Sequence, residues 1–342
     1  MFSKIFEALY LKVFVNIIIN RESTDLFIEV RSKKKSIESI EHTFKGIFLS
    51  DEMVSFIKQY TKETPYYYIS VLDSSLIQGA LPTCKKSEFA FYTDLSNCEY
   101  KCYENRWTYY TSKSELYALE KSYKEIGIDF VFSPFVILSQ FFQDKIEGKI
   151  ALYALVQDAY VSIAVFENSQ LLYAEHLDII SQTTTDEILI NDDFEDDELD
   201  LDDEGIDLET IDIDDNGSPL DDFGDIEDLD SLDEIEDFDG AKDVEEEFLE
   251  NEIEEHEDGD HSDSFNEDYQ RFSAIQASIS HFYKDERYES QFLENIYIAD
   301  GVGVSRDLKK YLEEEMFLNV YVRHAELGVE ICEMAKKELG LS

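Results

Sequence analysis

The sequence predicts a mixed α/β fold cut in two by a long acidic insertion. Three observations lead there. Apolar runs of strand length pair across short polar turns, capped helical patterns follow strand-like runs, and one segment holds most of the charge. Between Asp186 and Asp268 stand 42 Asp and Glu residues against one base, Lys242, which accounts for −41 of the formal net charge of −50. The remaining residues carry 37 acids and 28 bases. Like charges at this density repel, and the scattered Leu, Ile and Phe bury too little surface to offset the ordering of the backbone. The segment is expected to be disordered, and Met1–Thr185 to continue in the fold with Tyr269–Ser342.

Leu11–Ile19 and Asp25–Val30 read as a hairpin around the polar turn Asn20–Thr24, with a third strand through Lys35–Gly46. Met53, Phe56, Ile57 and Tyr60 share one helical face behind Ser50 or Asp51 as cap, and Pro65 stops that helix. Tyr66–Leu72 is a β-rich run. Val71–Thr83 reads as a partner-binding loop or a strand-to-loop crossing, and Tyr66–Tyr68 and Trp107–Tyr110 as an aromatic surface or core. Ser112-Lys113-Ser114-Glu115 is a capping box opening a helix that ends at Gly127. Ile128–Phe132 is a short strand, and Ser133-Pro134 starts a helix through Ile146. Lys149–Val156, Tyr160–Phe166 and Gln170–Leu177 are three strands joined by tight turns. Beyond the insertion, Tyr269–Tyr283 has helical spacing, Ile296–Ala299 is a strand, Asp300–Gly303 a turn, Arg306–Met316 a helix and Val320–Val322 a last strand.

Several function classes are disfavoured by composition. The net negative charge of every region opposes binding to nucleic acid and to anionic membrane surfaces. The apolar stretch Ile5–Ile19 is interrupted by Glu7, Lys12 and Asn16, too polar to span a bilayer, so a soluble cytoplasmic protein is expected. Cys98-x-x-x-Cys102 with Cys84 nearby has neither the usual zinc spacing nor a local histidine and reads as structural thiols in a reducing compartment. Asp212–Gly217 begins like a calcium loop, but Phe223 stands where the bidentate Glu belongs and Pro219 lies inside, so no metal is expected. His256 and His261 read as solvated residues of the acidic run, and no Ser–His–acid arrangement is recognisable.

The order of the pieces resembles the actin-like (ribonuclease H-like) fold, in particular PilM of the type IV pilus inner-membrane platform and the cytoplasmic domain of GspL of type II secretion. GIDFVFSPFVILSQFF (127–142) looks like the strand and helix before the second half of that fold. ALYALVQDAYVSIAVFENSQLLYAEHLDI (151–179) resembles its second phosphate hairpin and following strand. The segment from FSAIQASISHFYKDERYESQFLENIYIADGVGVS to NVYV (272–322) resembles its adenosine-side helix, strand, glycine turn and helix. The first hairpin fits the first phosphate loop by position. The resemblance implies a first lobe over 1–148, a second lobe starting over 149–185, the insertion at 186–268 in place of the small 2B subdomain, and the rest of the second lobe over 269–342.

In that fold two hairpin turns and a glycine turn hold Mg·ATP, and glycine lets backbone N–H groups approach phosphate closely. Were nucleotide bound here, Asp158, Asp300, Gly301 and Gly303 would hold it. The turns Asn20–Thr24 and Gln157–Tyr160 lack glycine, Glu22 repels phosphate, and bulky Tyr160 stands where a small residue is expected. A pseudo-ATPase without cofactor or catalytic residues is therefore expected. The resemblance implies a cytoplasmic scaffold, peripheral to the inner membrane, that docks the tail of a single-pass PilN-like protein in a groove of the N-terminal half and assembles into a ring. The machine would be a pilus, a secretion system or a flagellar motor. The alternatives are a nucleotide-binding actin-like ATPase switch and an acidic-tract protein that binds a basic partner.

Overall fold

The computed structural model describes residues 10–33, 35–179, 261–287, 292–304 and 306–341. Of the insertion expected to be disordered over 186–268, residues 186–260 lie outside the described residues, with the calcium-like loop at Asp212 and His256, whereas 261–268 are helical, which corrects its C-terminal bound. The chain opens with three antiparallel strands, β1 (Lys12–Ile19), β2 (Ser23–Arg31) and β3 (Ser36–Lys45). α1 (Asp51–Thr61) follows, its first turn capped by Ser50 Oγ, which accepts the Met53 N–H at 3.1 Å. Met53 and Ile57 seat this helix on the outer face of the sheet. β4 (Tyr67–Leu72) then enters parallel to β1.

A small antiparallel sheet interrupts the lobe, with β5 (Gln78–Leu81), β6 (Cys98–Tyr103) and β7 (Trp107–Ser112) in the order β5-β7-β6. None of these strands is foreseen in the sequence. The β6–β7 turn uses Glu104 and Asn105 at φ of 48° and 58° without a glycine to announce it, and β6 carries Glu99 and Lys101 on one face. Trp107 is core, while Tyr67 is exposed. Leu81 and Cys102 both face Thr108 from opposite sides of β7, so the chain leaving β5 meets β6 around the end of that strand. There Cys84 and Cys102 pair as a disulfide, Cα to Cα 5.4 Å, which corrects the expectation of free thiols. Cys98 and Cys332 are free and buried.

α2 (Lys113–Ser122) is capped by Ser112 Oγ, which accepts the Glu115 N–H at 3.4 Å. The Glu115 carboxylate does not close the expected box; it accepts the Leu76 and Ile77 N–H groups at 3.2 Å each, tying the β4–β5 loop to the helix. The helix stops five residues before Gly127, because Tyr123 turns into the core, and Gly127 takes the left-handed φ of 77° in the turn beyond. β8 (Phe130–Phe132) pairs in parallel with β4, and Ser133 caps α3 (Pro134–Phe141).

The second lobe repeats the first. β9 (Ala151–Val156), β10 (Tyr160–Glu167) and β11 (Gln170–Asp178) are antiparallel. α4 (His261–Lys284) leads to β12 (Asn295–Asp300), α5 (Arg306–Met316), β13 (Asn319–His324) and the unforeseen α6 (Leu327–Glu338). α4 starts eight residues before the helix expected at Tyr269. Near its start, Arg271 Nη1 pairs with buried Asp268 at 2.9 Å and Nη2 with Glu267 at 3.0 Å, both at helical spacing. The sheets run β3-β2-β1-β4-β8 and β11-β10-β9-β12-β13. Each has three antiparallel strands and then two parallel to the first. This duplicated 3-2-1-4-5 order is the actin-like fold that the resemblance implies.

Three cores follow from that layering. α1 covers the outer face of the first sheet, and α4 with α5 the outer face of the second. Between the sheets, α3 packs on β9 and β10, and α6 crosses back to β1, β2 and β4. Phe14, Phe135, Phe142, Tyr153, Phe166 and Ile331 make this central core continuous across both lobes. Burial of each such side chain contributes roughly 1.5–3 kcal/mol. α6 approaches β2 so closely that a Cβ on Gly328 would run into Phe27, whose Cγ would stand 3.0 Å away. Lys336, also on α6 and 4% exposed, meets Glu29 of β2 at 2.6 Å.

Gly328→Ala tests this contact. Helix propensity alone favours alanine by about 1 kcal/mol. Overpacking against Phe27 costs about 1–3 kcal/mol, so the variant is expected to unfold at lower urea concentration than the parent. A raised midpoint would show that α6 is not held this tightly.

Candidate functional site

The three turns singled out in the sequence converge on a cleft of about 580 Å³ between the lobes, lined by Arg21, Glu22, Asp25, Asp158, Glu267 and the Gly301–Val302 turn, among others. The β1–β2 turn is rigid without glycine. Asn20 N–H donates to the Ser23 carbonyl at 2.9 Å, and Asn20 Nδ2 donates to Asp25 Oδ2 at 2.6 Å. Asp25 Oδ1 accepts the Thr43 hydroxyl at 2.6 Å. Across the cleft, the β9–β10 turn is closed by the Gln157 N–H on the Tyr160 carbonyl at 2.9 Å.

Asp158, Asp300, Gly301 and Gly303 are thus brought together, and both carboxylates accept hydrogen bonds from backbone N–H groups of the turns. Asp158 Oδ2 reaches over to the first turn and accepts the Arg21 backbone N–H at 2.8 Å. Asp300 folds into its own turn: Oδ1 accepts from Val302 and Gly303 at 3.0 and 2.8 Å, and Oδ2 from Val304 at 2.9 Å. Backbone N–H groups of this kind cradle phosphate when they are free. Here the chain's own carboxylates take that place. Gly301 serves packing, since a Cβ there would stand 2.9 Å from both Leu327 Cδ1 and the Val156 carbonyl. Gly303 supplies the left-handed turn at φ of 80°, with open space around it.

The cleft is also crossed by charge. Arg21 Nη1 pairs with Glu267 Oε1 at 3.0 Å, and Glu267 Oε2 accepts from Arg271 Nη2 at 3.0 Å. Glu22, Asp25, Asp158 and Glu267 outnumber Arg21 among the lining residues. A polyphosphate would meet repulsion from four carboxylates. Among the described residues, no group of three His, Cys, Asp or Glu is placed to hold a metal ion. No helix there is long and apolar enough to cross a membrane.

A second cavity, of about 160 Å³, opens between the first sheet and the small sheet. Asp73 and Val131, from the ends of β4 and β8, face Tyr109 and Thr111 of β7 and Leu116 of α2. Among the described residues β8 is an edge strand of its sheet and β6 an edge strand of the small one, and both contribute lining residues, Val131 and Lys101. All of its lining residues precede Lys149, in the half where the resemblance puts a partner groove.

Close by, His176 of β11 is stacked on Tyr160 and approaches Ser162 Oγ at 2.9 Å through Nδ1 and Gln78 Nε2 at 3.3 Å through Nε2. Sequence reasoning found no such pair because residues 14 apart meet only through strand pairing. Ser162 is fully buried, and among the described residues no acid is bonded to the ring, so the pair links β10, β11 and β5. Burial pushes the His176 pKa down to about 4. The unfolded chain therefore binds more protons between that value and the ordinary 6.5. The stabilisation is complete above pH 6.5 and is lost as the pH falls toward 4. Unfolding free energies over this range should fall less steeply in His176→Gln than in the parent; parallel slopes would show that the ring titrates normally.

Two family models match the chain: one described as Domain of unknown function (DUF8341) over residues 152–340, and one described as Domain of unknown function (DUF8569) over residues 10–139. No curated protein matches it. Among solved structures it is similar to a Bacteroides thetaiotaomicron protein with an actin-like ATPase fold and unknown function, at 11% identity over 94% of this chain and 96% of that one, with a TM-score of 0.46. It is similar to a PilM–PilN type IV pilus biogenesis complex at 10% identity over 90% and 87% of the two chains, with a TM-score of 0.46. It is also similar to MreB5 of Spiroplasma citri bound to ADP, at 10% identity over 96% and 97%, with a TM-score of 0.43.

Proposed function

We propose that this chain, which belongs to the family described as domain of unknown function DUF8341, is a non-catalytic actin-like scaffold that docks the cytoplasmic tail of a single-pass inner-membrane protein. One observation carries the non-catalytic part: Asp158 and Asp300 hold the backbone N–H groups of the first and third turns, where phosphate would have to bind. Displacing either carboxylate strands a charge beside other acids. In this reading the cleft is a fixed joint between lobes, and the working surface lies elsewhere.

That surface is the groove between β8 and the small sheet. An extended tail added along a free strand edge gains main-chain hydrogen bonds, and cavities beside the edge select alternate side chains. The partner class comes from the resemblance to PilM, and the setting is an envelope-spanning machine such as a pilus, a secretion system or a flagellar motor. The tail must order as it binds, so the affinity is expected on the order of micromolar, strengthened by avidity in a ring.

Fluorescence anisotropy with labelled cytoplasmic tails of single-pass proteins encoded beside this chain tests the proposal, with the full chain and a variant lacking residues 186–260. Saturable binding that survives the deletion is the expected result. Binding lost with the deletion and with added salt would transfer the function to the acidic run acting on a basic partner.

A further inference from the structure

The groove carries more information than its location. We propose that the docked tail seats a lysine or arginine side chain in the cavity at Asp73, with its charge against that carboxylate. This inference rests on the docking reading above and specifies what the partner must present.

Asp73 follows β4, and its N–H donates to the Phe132 carbonyl at 2.8 Å, which fixes it where β4 and β8 end together. The residue is 3% exposed and still lines the cavity. Oδ1 is held by the Ser75 N–H at 3.0 Å and the Ser75 hydroxyl at 2.6 Å, and the Thr111 side chain of β7 also interacts with the carboxyl group. Among the described residues no cation pairs with it. The other charged groups at the cavity are engaged: Lys101 faces Glu338 at 3.5 Å, and Glu99 faces Lys113 at 3.8 Å. Burial raises the acid's pKa, opposed by its hydrogen bonds and reinforced by the nearby Glu115. A buried carboxyl group without a cation is costly to ionise, and a cation brought by a partner removes that cost.

The remaining lining explains why the cation should arrive on a long stem. Leu116, Val131 and the ring of Tyr109 form apolar walls above Asp73. Lysine and arginine bury their methylenes against such walls and carry the charge at the tip. A short polar side chain would leave the walls uncovered, and an aliphatic one would leave the carboxyl group unpaired.

The test uses the full chain and an array of overlapping ten-residue peptides covering the cytoplasmic tails of single-pass membrane proteins from the same genome. The tightest binder is remade with each Lys or Arg replaced by norleucine, and anisotropy is measured against the parent and Asp73→Asn. One norleucine is expected to weaken binding about tenfold or more, Asp73→Asn to weaken the original tail similarly, and the two together to weaken it little further. Leu116→Lys, which supplies the cavity with a cation of its own, is expected to abolish tail binding; it serves if Asp73→Asn does not fold. A tail that binds equally well with norleucine at every basic position, or that loses affinity additively in the pair, overturns the Asp73 pocket and leaves the docking reading standing. An array on which the folded chain retains no tail overturns the docking reading itself.

Discussion

The return of α6 to the first sheet is the constraint on which the rest of the structure depends. It is the last helix in the chain, yet it packs on β1, β2 and β4 and not on its own lobe's outer face. Gly328 permits the approach to Phe27, and Lys336 ends it with a buried ion pair to Glu29. Each charge also has a second partner, Glu333 for Lys336 at 2.6 Å and Arg31 for Glu29 at 3.9 Å, so the contact is part of a small ionic network. The same helix fixes the cleft. Leu327 packs on Gly301, and the Ala325 N–H holds the Asp300 carbonyl at 2.7 Å, so the third turn cannot move without the joint between lobes.

The cleft inherits that rigidity. In a nucleotide switch, free backbone N–H groups in facing turns close on phosphate, and the lobes respond to its presence. Here the first turn is bonded to Asp158 across the cleft and tied by Arg21 to Glu267 on α4. These contacts join the two lobes through the turns that line the cleft. The docking groove proposed above lies elsewhere, between the two sheets of the first lobe, where Asp73 is buried with no cation paired to it among the described residues.

Much of this was legible in the sequence where one local rule acts alone. Ser50 before Met53 and Ser133 before Pro134 announced two helices, and the alternation in Tyr160–Phe166 and Gln170–Leu177 announced two strands. The small sheet was not legible, because Glu104 and Asn105 make its turn and Glu99 and Lys101 interrupt β6. α6 was hidden by Gly328, which weakens a helix in isolation and has its reason only in Phe27. At the site, the sequence singles out Asp158, Asp300, Gly301 and Gly303 but not the bonds that the two carboxylates make within the chain. Which way a carboxylate turns depends on backbone N–H groups 137 residues away in one case and two to four residues away in the other. The cavity at Asp73 had no sequence signal: Val131 and Leu116 lie in elements the sequence predicts, but Tyr109 and Thr111 reach it only through the small sheet, which the sequence does not announce.

The central claim, that internal carboxylates stand where phosphate would bind, is tested most directly by calorimetric titration of Mg·ATP into the full chain. The account predicts no saturable heat at concentrations on the order of micromolar to a few hundred micromolar. A dissociation constant of about micromolar, dependent on Mg²⁺ and shared by ADP, would contradict it.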